Sequence, residues 1–282
     1  MKRKTRNSVL LHIGAFVVAV CCLAPVAYMV LASITPQRTL ITTPLRWIPQ
    51  FFDFSRYATI FGGGANGVGA AFRAALFNST VVGVATVIIS MIVGILGAYA
   101  FARLRFRFRR AVLLLFLGTY MLPQIALLIP LYLILNSLGL LNTRTGLILV
   151  DCSLVVPFVL WILSNYFVTI PEELEEAARI DGTSRLGALF YVVLPAARPG
   201  IFAAVMFAFL LAWDEFMYAL IFTSSNAAKT LPVAISEFAG RYTTDFGLVS
   251  AGGLIAAIPP LIIAIIFQRY IVSGLGAGSV KG

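Results

Sequence analysis

Long apolar runs separated by short polar segments set the pattern of this chain. Six runs, about Val9–Leu31, Phe77–Ala100, Ala111–Leu135, Leu147–Phe167, Ile201–Phe222 and Leu248–Phe267, are each long enough to read as a helix. A helix of roughly 20 apolar residues crosses the ~30 Å hydrocarbon layer of a bilayer, so each run predicts a membrane span. The first follows MKRKTR and invites a signal-peptide reading. A signal core has about 7–15 apolar residues; this run is longer, and Val30-Leu31-Ala32 is only a fair cleavage site, so an uncleaved span is expected. Between the runs lie outer segments at about 33–76, Asn136–Gly146 and Ser224–Gly247. The longest carries Trp47, Phe51, Phe52, Phe54, Tyr57 and Phe61 and reads in part as an interfacial segment, broken by Gly62-Gly63-Gly64 before the second span. Pro123, Pro130, Pro157, Pro259 and Pro260 kink or interrupt spans. No internal repeat and no inverted pair of broken helices is legible.

Composition agrees with this pattern. Sixty per cent of the 282 residues are hydrophobic and 11% are charged, against about 25% charged in soluble domains. The net charge of +10 raises a nucleic-acid reading, which the positions of the cations answer. With the N-terminus inside, inner segments hold Lys2, Arg3, Lys4, Arg6, the five arginines from Arg103 to Arg110, Arg179, Arg185, Arg198, Arg269 and Lys281. Outer segments hold half as many, namely Arg38, Arg46, Arg56, Arg73, Arg144, Lys229 and Arg241. That bias places both termini and Pro171–Gly200 in the cytoplasm. It makes RLRFRFRR a membrane anchor, and no nucleic-acid partner is expected. Cys21, Cys22 and Cys152 sit in apolar runs without metal-ligand spacing, and His12 is the only histidine, so no metal site is expected.

One cytoplasmic segment departs from the rest. Of 11 acidic residues, five fall within Pro171–Gly200: Glu172, Glu173, Glu175, Glu176 and Asp181. Pro171 and the acids that follow suit the start of a helix. Asp181-Gly182 ends it, with Gly182 free to take positive φ. Thr183 or Ser184 caps a second helix, whose Leu186, Leu189, Phe190 and Val193 recur at helical spacing as an apolar face. Five acids disfavour docking on an anionic inner leaflet, so a protein partner explains the segment better.

Glu176-Ala177-Ala178, Gly182, Val192 and Leu194-Pro195 resemble the EAA loop of ABC importer permeases, EAA-x3-G-x9-I-x-L-P, with Val192 the single departure. The resemblance extends through Phe77-Asn78-Ser79, Ala98–Arg103, Met121-Leu122-Pro123, Ile129–Tyr132 and Leu138–Thr143. Trp213-Asp214-Glu215-Phe216 is similar to the W-[ND]-[ED]-F of carbohydrate permeases, and the end of the chain resembles their G-L-x-x-G-x-V-K-G. The resemblance implies an all-α integral membrane protein with six transmembrane helices, both termini cytoplasmic, and a coupling-helix loop at about 169–200. It implies a bacterial or archaeal cytoplasmic membrane as the location, in the maltose-type branch. The expected partners are a second permease subunit, two ABC ATPase subunits and an extracytoplasmic sugar-binding protein. ATPase coupling falls to Glu176, Ala177, Ala178, Asp181, Gly182, Leu194 and Pro195, with charge pairs at the rim setting register; the tail, about 268–282, carries Ser279–Gly282 as a further ATPase contact.

No G-x-x-x-x-G-K-[ST] occurs, so ATP and Mg belong to a partner chain and no cofactor is expected in this one. Charges inside spans mark functional sites by default. Asp214 and Glu215 lie in the outer half of the fifth span. With Gln124, Trp213 and Tyr218 they are candidates for a sugar pathway; the bland alternative is glue between helices. Neighbouring residues on a helix diverge, so both acids need not face the pore. Asp151 reads as a solvated or helix-start acid, and Asn165 as water-facing. A different class, an ion-coupled secondary transporter using Asp214 or Glu215 as proton carrier, is opposed by the EAA loop and by the missing repeat.

Overall fold

The structure, a computed structural model, describes residues 2–43, 49, 51–62, 67–240 and 244–278. Arg46, Trp47, Gly63, Gly64, Arg241 and the tail residues Ser279–Gly282 lie outside the described residues. Helices make up the fold, and among the described residues the only β pairing is an isolated bridge, Ala239 with Thr244. In chain order they are α1 (Lys2–Ser33), α2 (Gln37–Leu40), α3 (Ser55–Phe61), α4 (Val68–Arg103), α5 (Arg109–Tyr120), α6 (Gln124–Ser137) and α7 (Arg144–Val168). Then come α8 (Glu173–Ile180), α9 (Arg185–Ala188), a π-helical turn (Leu189–Val193), α10 (Leu194–Ala196), α11 (Arg198–Trp213), α12 (Met217–Phe222), α13 (Leu231–Ser236) and α14 (Phe246–Gly278).

Among the described residues, four stretches are long and apolar enough to cross a membrane as single helices: Leu10–Ser33, Val68–Arg103, Arg144–Val168 and Phe246–Gln268. Two bent pairs pass the same test, α5 with α6 at 93° and Arg185–Ala196 with α11 at 82°. The chain is therefore an all-helical protein with four to six candidate spans.

Two spans expected to be continuous are interrupted. The third breaks between Tyr120 and Gln124, where Pro123 lacks an N–H and adopts an extended backbone, φ −63° and ψ 128°. The fifth breaks at Asp214–Phe216. There the carboxylate of Glu215 accepts the amide hydrogens of Tyr218 (2.7 Å) and Ala219 (2.9 Å), and the helix restarts as α12 instead of running on. Pro130, Pro157, Pro259 and Pro260 by contrast lie inside helices. The second span begins earlier than expected, with α4 starting at Val68, so the end of the predicted outer loop is helical.

Packing divides the chain into two units, Met1–Arg73 with Ala234–Ala257, and Ala74–Val233 with Ile258–Gly282. The first is organised by Arg56. Its buried guanidinium pairs with Asp245 (3.0 Å) and donates to the Thr35 carbonyl (2.5 Å), while Tyr57 donates to Ser33 (2.8 Å). Asp245 in turn accepts from the Leu248 amide at the start of α14 (3.0 Å). Phe51, Phe52, Phe54 and Phe61 are exposed.

The second unit has two apolar cores. At one end of the bundle, Ala98 and Ala102 of α4, Val159, Leu163 and Phe167 of α7, Leu189 and Val193 of the π turn, and Ala204, Ala208 and Ala212 of α11 pack together. Small residues let backbones approach: a Cβ on Gly94 would meet Val159 Cγ1 at 2.5 Å, and one on Gly97 would meet Leu160 Cδ1 at 2.9 Å. At the other end, Val82, Leu135, Leu147, Val150, Tyr218, Phe222 and Val233 form the second core. Polar side chains pin its covering loop. Asn78 donates to the Asn226 and Lys229 carbonyls (3.0 and 2.9 Å), Ser79 accepts from the Leu231 amide (2.7 Å), and Asn142 accepts from the amides of Ser224 and Ser225 (both 3.0 Å). The Phe-Asn-Ser and Leu-Asn-Thr signatures thus have a structural use.

Candidate functional site: a helix–turn–helix segment and a cavity at two helix breaks

The segment after α7 folds as two short helices about a glycine. Acids in the first turn of α8 complement its dipole. Asp181 follows α8, and Gly182 takes φ +89°, where no Cβ would meet a neighbour, so glycine is needed for the backbone angle alone. Thr183 returns its amide to the Ala178 carbonyl (3.0 Å), closing the turn. Of the two candidate caps, Ser184 does the work, its hydroxyl accepting from the Gly187 amide (3.1 Å).

The second helix is less regular than its spacing predicts. It passes through the π-helical turn and α10 before bending at Ala197 into α11. Leu189 and Val193 are fully buried, while Leu186, Phe190 and Tyr191 are exposed. The predicted single apolar face is split: Leu186 and Phe190, four apart, face out, while Leu189 and Val193, also four apart, face in.

The acids of α8 also divide. Glu173, Glu176 and Asp181 are exposed, with Ala177 exposed and Ala178 half-buried beside them. Ile180 is 86% exposed. Leu194 is half-buried and Pro195 exposed. Glu175, however, is 7% exposed and points inward: it forms an ion pair with Arg103, and its other oxygen accepts the Tyr99 hydroxyl (3.0 Å). Arg103 also reaches the Ile170 carbonyl (2.7 Å). Not every acid in the segment is therefore on its surface. Nor is Arg103 only a surface anchor of the basic run, since its side chain is buried among these groups. A sequence signal existed: Tyr99 and Arg103 stand four apart on one helix face, ahead of an acid-rich loop.

Gln124, Asp214 and Glu215 come together around a cavity of about 480 Å³ that Phe158, Phe207 and Phe216 also line. Gln124 opens α6 after one break, and Asp214 follows α11 at the other, so the cavity forms where two spans are interrupted. Non-helical backbone at membrane depth is tolerated where it lines such a cavity. Asp214 is exposed. Glu215 is 8% exposed, and both its oxygens are held by the α12 amides. Trp213 and Tyr218 do not line the cavity. Trp213 is buried and stacks on Phe209 at 5.2 Å, while Tyr218 is fully buried, stacks on Phe222 at 5.5 Å and donates to the Gln124 carbonyl at 3.5 Å.

Asp151 is a correction. It is 2% exposed rather than solvated, and it does not start its helix, because Thr143 caps α7 by accepting from the Gly146 amide (3.0 Å). Two turns into α7, Asp151 faces the packed interior, and its Oδ1 and the Thr86 hydroxyl have no hydrogen-bond partner among the described residues. Asn165 is exposed as expected and donates to the Trp161 carbonyl (2.9 Å). Among the described residues no group of three His, Cys, Asp or Glu stands together as a metal site requires.

Known proteins share this fold and sequence. A sulfoquinovosyl glycerol transport system permease protein of Agrobacterium fabrum is 37% identical over 270 residues, covering 96% of this chain and 93% of its own. A trehalose/maltose transport system permease protein of Thermococcus litoralis is 35% identical over 283 residues, covering all of both chains. A solved chain of a bacterial ABC transporter that imports the acidic polysaccharide alginate superposes with a TM-score of 0.76 at 24% identity, over 96% of this chain and 98% of that one. The family described as binding-protein-dependent transport system inner membrane component matches residues 90–276. With that match running from within α4 into α14 and its relatives aligned nearly end to end, this chain is a member of the binding-protein-dependent transport system inner membrane components.

Proposed function

We propose that this chain is a permease subunit of an ATP-driven importer for a di- or oligosaccharide, with six spans and both termini in the cytoplasm of a bacterium or archaeon. Relatives named for trehalose and maltose, for trehalose and for sulfoquinovosyl glycerol, each at least 35% identical over most of the chain, support the sugar class. The observation that carries the coupling half is the exposed rim of Glu176, Ala177, Arg179 and Asp181 about the Gly182 turn, on a segment otherwise packed into the bundle by Leu189 and Val193. The small side chains of exposed Ala177 and half-buried Ala178 admit close approach of an ATPase surface, and flanking charges set its register. ATP and Mg reside in two such ATPase subunits. A second permease chain completes the pathway, and an extracytoplasmic sugar-binding protein delivers the cargo. Ser279–Gly282 adds a contact to the ATPases.

In this reading the cavity of about 480 Å³ is this chain's share of the pathway; its size falls within the about 300–1,000 Å³ of small-molecule sites. Gln124 and Asp214 offer an amide and a carboxylate to sugar hydroxyls, with the rings of Phe158, Phe207 and Phe216 as apolar walls. Glu215 holds α12 in place beneath them. Reconstitution of the chain with its partners in proteoliposomes tests the reading, using labelled maltose and trehalose. Uptake that requires ATP on the ATPase side supports it. Uptake that follows an imposed proton gradient without ATP refutes it.

A further inference from the structure

We infer that Arg103, Glu175 and Tyr99 form a joint that makes α8 and the end of α4 move as one body when an ATPase partner displaces the segment. The inference rests on the importer reading above and concerns how displacement reaches a span. Arg103 is the last residue of α4, and its guanidinium holds three points at once: the Glu175 carboxylate, the Ile170 carbonyl (2.7 Å) and, at 3.9 Å, Glu172. One turn earlier on the same face, the Tyr99 hydroxyl lies 3.0 Å from the other Glu175 oxygen and 3.3 Å from the Arg185 carbonyl, sharing its proton between them. The end of α4 thus grips the exit from α7, the middle of α8 and the start of α9.

Two features separate this from an ordinary surface ion pair. The Arg103 and Glu175 side chains are 8% and 9% exposed, so water and salt screen the pair little. The rest of the attachment, Leu189 and Val193 against Ala98, Ala102 and Phe167, is apolar and non-directional, and such contacts permit sliding. A guanidinium fork with fixed donor directions does not. Glu175 is also the acid of α8 turned inward while Glu173 and Glu176, on either side, face out, so one short helix presents a partner face and a transmission face.

Electron–electron distance measurement on the assembled complex tests this, with spin labels at Glu173→Cys on α8 and Leu104→Cys beside α4, in a background without the native cysteines. Distances are read without nucleotide and after trapping with ATP and vanadate. The expected result is one narrow distribution, unchanged by trapping, in the otherwise native chain. In Glu175→Gln, trapping should shift and broaden it; Tyr99→Phe, which removes only a hydroxyl, should give a smaller broadening. Arg103→Lys, which keeps the charge but loses the fixed fork of donors, should shift and broaden it as well. A shift on trapping in the native chain overturns the joint, because the segment then slides on α4. Distributions in Glu175→Gln and Tyr99→Phe that match the native chain in both states also overturn it. Failure of the complex to hydrolyse ATP, measured separately, removes the importer reading and the inference with it.

Discussion

Replacing Glu215 by alanine separates the two adjacent acids of the fifth span. Its carboxylate accepts from the Tyr218 and Ala219 amides at 2.7 and 2.9 Å, and the residue is 8% exposed. Alanine strands both donors. Each buried donor left unmade costs about 1–3 kcal/mol, and loss of a helix cap alone costs about 0.5–2 kcal/mol. Removal of a desolvated carboxylate offsets part of this. The net expectation is a loss of about 2–4 kcal/mol in Glu215→Ala. In Glu215→Gln, whose amide oxygen still accepts one hydrogen bond, roughly half of that loss is expected. Unfolding of the purified permease in detergent mixtures, followed by circular dichroism, measures the loss. ATP-dependent uptake per folded transporter is measured in parallel and should stay near that of the native chain. A Glu215→Ala protein as stable as the native chain, yet unable to transport, would refute the capping role and return Glu215 to the pathway.

Further expectations follow from the same geometry. Asp214→Asn, at an exposed position lining the cavity, should alter stability by less than about 0.5 kcal/mol while raising the KM for labelled sugar; an unchanged KM argues against a pathway role. Gly94→Ala drives a methyl into Val159 and should cost about 1–3 kcal/mol. Val159→Ala should relieve it, with a coupling that exceeds the additivity error of about 0.5 kcal/mol in the same unfolding assay. Gly182→Ala meets no neighbour but must hold φ +89°; it should cost about 1–2 kcal/mol and loosen the partner rim, measurable as weaker co-purification of the ATPase, whereas Gly182→Asn should be milder because asparagine tolerates positive φ.

Hydropathy by itself located the candidate spans, because a bilayer demands roughly 20 apolar residues in a row and satisfies no backbone polar group from outside. Four of the six predicted stretches lie within single helices in the structure, and the other two lie on helices interrupted once. The Gly182 turn and the Ser-or-Thr cap were legible for a related reason: both depend on residues within four positions of one another, where local sterics and hydrogen bonds decide. The break in the fifth span was not. Trp213–Phe216 carries no proline or glycine, and only the buried side chain of Glu215, turned onto the following amides, makes the helix restart there.

Burial of charge was decided by tertiary structure throughout. Arg103 and Glu175 are 72 residues apart, and nothing near either one marks which of five acids the arginine will choose. Asp151 reads as a surface acid near the end of a span, yet Thr143 starts the helix two turns earlier and Asp151 lies in the packed interior. A charge enters a low-dielectric interior only where the whole fold supplies its partners, so its place belongs to the packing of distant segments. The apolar runs needed no such partners to declare themselves, since the bilayer that selects them acts on each run alone.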